Sequence, residues 1–176
     1  MACSFLALAA GAVVFRLPKG TRWHRTLGHV YAMGMVGVVV TSLVIYRLTG
    51  RFGPFHVAAL VAALTLAGGL WTVLARRPRK AWIGAHATWM SWSYIGLAAA
   101  LVAESMTRWI VPVVEPHLES GPLWGAFWGT ALLASLAVMA VGAHLVRRRL
   151  PASVAGTPAA MRRERARLQA LEEGAD

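Results

Sequence analysis

Four apolar runs decide what this chain can become: roughly Leu27 to Tyr46, Phe55 to Ala75, Ala81 to Ala103 and Pro122 to Val146. At about 1.5 Å of rise per helical residue, each is long enough to cross a hydrocarbon core about 30 Å thick. A soluble domain of 176 residues could not bury them all, since 57% of the chain is hydrophobic, only 14% is charged and the mean hydropathy is +0.56. The sequence predicts an all-α fold, a polytopic transmembrane helix bundle of four long spans preceded by a short first helix over residues 2–15.

Charge placement orients that bundle. A signal peptide carries its positive charge ahead of its apolar core, whereas Arg16, Lys19, Arg22 and Arg25 follow the first run. The first run therefore reads as a membrane helix with its N-terminus outside. Fifteen of the eighteen Lys and Arg then fall on one side, leaving Arg47, Arg51 and Arg108 on the other. That asymmetry places the basic side and the C-terminus in the cytoplasm and predicts a multi-pass protein of the cell membrane. The net charge of +11 is on this reading topological, attracted to a lipid bilayer with an anionic inner leaflet rather than to nucleic acid.

The bundle is expected over residues 1–149 and a basic cytoplasmic tail over 150–176. In the tail Met161, Leu168 and Leu171 line one side of a short amphipathic helix resting on the leaflet. Pro18 and Gly20 break the first connection, and TGRFGPF makes the second helix and the third antiparallel neighbours. The segment SMTRWIVPVVEPHLESG, interrupted by Pro112 and Pro116, is expected along the outer interface. Cys3 has no internal disulfide partner.

Six histidines carry what chemistry there is, because neutral imidazole binds metals and haem iron. On this topology His24, His29, His86 and His144 lie at cytoplasmic helix ends, while His56 and His117 lie outside. His24 shares a helix face with Gly28, Tyr31 and Met35; His29, five residues on, points elsewhere. An interfacial polar residue or helix cap is the plainer role for His24, His29 and His144. His86 stands among Trp82, Trp89, Trp92 and Tyr94 with no acid in the inner half of its helix, so its imidazole requires a partner. No Asp, Glu, Lys or Arg lies in the central part of any span, which argues against ion-coupled transport. Phosphate loop, nucleophile elbow, zincin helix and cysteine pair are all missing.

The motifs HRTLGHVY (His24 to Tyr31), GPFH (Gly53 to His56) and HATWMSWSY (His86 to Tyr94) together resemble the bacterial predicted membrane proteins grouped as domain of unknown function 2306. The resemblance covers about Arg16 to Ile110 and falls on His24, Arg25, Gly28, Tyr31, His56, His86, Trp89, Met90 and Tyr94. His29 stands at a position that is variable in the family. Ser91 and Trp92 stand where the family usually has an Arg before the Tyr. The plan is similar to that of multi-helix membrane cytochromes b, which brings haem b into view by analogy.

Three readings stay open on sequence alone. The first is a b-type haem or quinone-linked redox protein, with His24, His86 and His56 as ligand candidates and Tyr31, Trp89 and Tyr94 lining the cofactor. The second is a non-enzymatic scaffold or subunit binding a membrane protein partner, with structural histidines. The third is a transition-metal or small-molecule site lined by His24, His86 and His56.

Overall fold

The computed structural model describes residues 2–44, 53–77, 81–106, 109, 122–155 and 162. They form five helices: α1 (Ala2–Arg16), α2 (Arg22–Val44), α3 (Pro54–Leu74), α4 (Trp82–Ser105) and α5 (Pro122–Ala155). No strand occurs among the described residues. Three stretches are long and apolar enough to cross a membrane, Arg22–Val44, His56–Leu74 and Gly129–Arg148, while α1 is a shorter apolar helix.

The fourth expected span, α4, has the length at 24 residues but carries His86, Thr88, Ser91 and Ser93 in its first half. Its position accounts for the polarity. Along α4, Ser91, Ser93, Ile95, Leu97 and Ala99 are all buried. Successive members of that series stand about 200° apart on a helix, so α4 is covered on two opposite faces. A helix enclosed by other helices needs less apolar surface than one facing lipid.

Local chemistry sets the helix ends. Gly20 takes a left-handed turn at φ 84°, and Thr21 then caps α2, its Oγ1 accepting from the His24 backbone N–H at 3.2 Å. Pro54 opens α3, where its missing N–H costs nothing. Beyond α3, Arg76 at φ 48° turns the chain out of the helix. The last helix runs further than expected, past Arg149 and through Pro151 to Ala155. The expected tail helix and the outer segment with His117 fall outside the described residues, apart from isolated positions.

α1 packs on α2, α2 on α3, α3 on α4 and α4 back on α1, closing a ring of four, and α5 lies against α4 from outside. The ring is two helical hairpins side by side, with α2 and α4 on one diagonal. Ala7, Ala10 and Gly11 on α1 face Tyr31, Gly34 and Met35 on α2, both stripes spaced i, i+3, i+4. Ala7, Ala10, Tyr31, Met35, Leu66 and Leu97 form the buried core, contributed by all four helices of the ring. α5 runs antiparallel to α4: Ser135 Oγ donates to the Ala99 carbonyl at 3.4 Å, and a Cβ at Gly142 would stand 2.6 Å from Ile95.

Candidate functional site at the basic end of the helix ring

Two of the histidines, His24 and His86, come within electrostatic reach of each other. His86 sits one turn into α4 and reaches across to α3, where its Nδ1 lies 2.9 Å from the Gly69 carbonyl oxygen. A carbonyl only accepts, so Nδ1 carries the proton and, in the neutral ring, Nε2 keeps the lone pair. The same carbonyl accepts from Thr72 Oγ1 at 2.7 Å. The bond needs the helices close together, and Gly69 permits it: a Cβ there would overlap Met90 Sδ, and one at Gly68 would come within 2.8 Å of the Trp89 ring.

His24 stands on the facing helix. It lies within electrostatic reach of His86, Lys19 and Arg25, and its ring meets the Val14 carbonyl near the end of α1. Its Nδ1 is buried with no hydrogen-bond partner. Each hairpin thus sets a histidine from its second helix against a carbonyl near the end of its first.

A second contact fixes the register. Tyr31 Oη and Ser93 Oγ are 2.8 Å apart and buried. Tyr31 is seven residues beyond His24 and Ser93 seven beyond His86, and seven residues of helix return to within about 20° of the same face. The two histidines therefore lie about 10.5 Å below the Tyr31–Ser93 bond, at matching depth and on facing sides. Tyr94 braces the α4–α1 side of the ring: its Oη donates to the Leu8 carbonyl at 3.3 Å, and its ring stacks edge-on to Phe15 at 5.1 Å. A Cβ at Gly11 would stand 2.5 Å from that ring.

Lys19 closes the basic end. From the α1–α2 connection its Nζ donates to the Val14 and Phe15 carbonyls, both at 3.0 Å, capping α1. Partial burial pushes its ammonium below the ordinary lysine range.

The remaining candidates lie elsewhere. His56 is buried at the opposite end of α3, where its Nδ1 accepts from the Gly53 N–H at 3.2 Å and so caps its own helix. Thirteen residues separate it from Gly69, about 20 Å of helix, so it shares no site with His86. Trp89 packs on Gly68 but is 38% exposed on the outside of the ring. His29 is exposed and hydrogen-bonds the Arg25 carbonyl of its own helix at 2.7 Å. His144 is exposed on α5. Among the described residues no three His, Cys, Asp or Glu side chains converge as metal ligands.

Ser93, Gly69, Val14 and Lys19 belong to this site and were not among the ligand candidates of the sequence reading. Ser93 had a signal in its spacing from His86, which repeats that of Tyr31 from His24. The others act through backbone carbonyls, close approach or a connecting turn, which leave no side-chain pattern.

No curated protein and no solved structure matches the chain. The family of predicted membrane proteins called DUF2306 matches it over residues 1–147, well beyond the Arg16 to Ile110 stretch that carries the histidine motifs. With helices of membrane-crossing length and apolarity matched over most of the chain, this protein belongs to the DUF2306 family of predicted membrane proteins.

Proposed function

We propose that this is a multi-pass protein of the cell membrane, its basic helix ends cytoplasmic, in which His24 and His86 would together hold a b-type haem. One observation carries the reading: two histidines on diagonal helices of a four-helix ring, held at equal depth by the Tyr31–Ser93 register. Haem needs only two protein nitrogens because the porphyrin supplies four, so a pair suffices where a bare zinc site would want three or four side-chain ligands. His86 has the disposition of a ligand, with Nδ1–H fixed on a carbonyl and Nε2 left to donate. The group would supply one-electron chemistry. The chain supplies orientation, an apolar surround from the core and basic charge at the edge.

Protein purified from a haem-replete host is expected to show a Soret band that shifts on dithionite reduction, lost in both His24→Ala and His86→Ala and kept in His29→Ala. A colourless preparation ends the reading.

A second reading draws on the outer surface. An open apolar groove of about 230 Å³ runs between α2 and α3, lined by Val36, Val40, Ala63, Leu66, Ala67 and Leu70, and fits a partner helix in a scaffold role. On that reading His86→Ala lowers abundance, and no chromophore exists to be lost.

A further inference from the structure

The charge around the histidine pair says what kind of ligand it admits. Lys19, Arg22 and Arg25 all stand at this end of the ring, with Arg16 at the end of α1. The one acid among the described residues, Glu104, is at the far end of α4, eighteen residues beyond His86, or about 27 Å of helix. Among the described residues no carboxylate stands at this end, so a free metal cation would enter a field of its own sign. A ligand bringing negative charge would be drawn in.

Among these cations Lys19 has the position to contact such a ligand. Arg22 and Arg25 are exposed, and Arg25 Nη2 turns back to the Gly20 carbonyl at 3.3 Å. Lys19 is half-buried, and its Nζ bonds the Val14 carbonyl that the His24 ring also meets. Ammonium has three N–H donors. Val14 and Phe15 take two of them, leaving one for an acceptor on the His24 side of the site.

Resting on the paired-histidine reading, we propose that Lys19 is the anion-recognising residue of the site and receives a carboxylate on the edge of the porphyrin held by His24 and His86. The ligand class is then a metalloporphyrin bearing ionised carboxylates, with that edge turned toward the basic end of the ring. The interaction is a charge-assisted hydrogen bond in a partly desolvated place, stronger than a surface pair.

The test titrates full-length apo-protein in detergent micelles with haemin and with haemin dimethyl ester, whose carboxylates cannot ionise, following the Soret band. The native protein is expected to prefer haemin by about tenfold to a hundredfold, the scale of a hydrogen bond to a charged group. In Lys19→Gln that preference should shrink toward unity, and in Lys19→Arg it should persist. Comparing ratios between variants cancels the ester's greater partition into detergent. A native protein with no preference, or a preference unchanged in Lys19→Gln, overturns the Lys19 assignment while leaving the histidine pair standing. If neither porphyrin binds, or binding survives in the His24→Ala, His86→Ala double variant, the paired-histidine reading fails and takes this one with it.

Discussion

The hairpins α1–α2 and α3–α4 share a plan and differ in how tightly they execute it. In the second hairpin, Gly68 and Gly69 let α3 approach α4 just where His86 leaves its helix, so the imidazole is held by a direct 2.9 Å bond. In the first, close approach lies deeper, where a Cβ at Gly34 would stand 3.1 Å from Ala7 and Gly11 takes the tyrosine rings. There His24 ends with a buried nitrogen and no partner. Both rings hold one nitrogen on a carbonyl and keep the other to give, and they differ in that the spare nitrogen of His24, Nδ1, is buried. The difference arises from where each hairpin places its glycines, not from the histidines themselves.

Substitutions can break or sharpen that contrast. The largest effect is expected from Gly69→Leu, which drives a side chain into Met90 and Trp89 and parts α3 from α4 at the His86 contact. Overpacking of this kind costs about 1–3 kcal/mol, read as a lowered unfolding midpoint in micelles. Gly34→Ala in the first hairpin should cost less, because its Cβ meets Ala7 at 3.1 Å instead of overlapping Met90. If the two cost the same, the hairpins are not packed differently at their glycines.

A smaller effect is expected from Tyr31→Phe, which removes the Tyr31–Ser93 bond that sets the register of α2 against α4. Hydrogen bonds between membrane helices average about 0.6 kcal/mol and reach about 1.7, and Ser93→Ala should match it. The double variant should cost little more than either single one. Additive losses in that cycle would mean the two hydroxyls act separately and the register argument is wrong. Smallest of all, His29→Ala should change stability by no more than about 0.5 kcal/mol, since His29 is exposed and bonded within its own helix.

Much of this molecule was legible in its residues. Apolar runs of spanning length predicted the helices, and the Pro and Gly breaks predicted their ends, because burying peptide groups in lipid leaves a helix as the local solution. Helix angles separated His24 from His29 before any fold was known. α4 was expected as a fourth span and has the length for one, but its enclosure on two faces could not be read, because enclosure is a property of neighbours and not of a window of sequence. α5 overran its expected end at Arg149 and continued past Pro151.

Sequence by itself determined the helices, the basic end and the faces on which His24, Tyr31 and His86 lie, since helical periodicity is a local constraint repeated every turn. Tertiary structure decided that α2 and α4 share a diagonal, that Ser93 and not Tyr94 answers Tyr31, and that Lys19, Val14 and Gly69 join the histidines. Those outcomes depend on how closely two helices can approach. Approach is governed by small residues and backbone carbonyls, whose effect exists only once the opposing helix is in place.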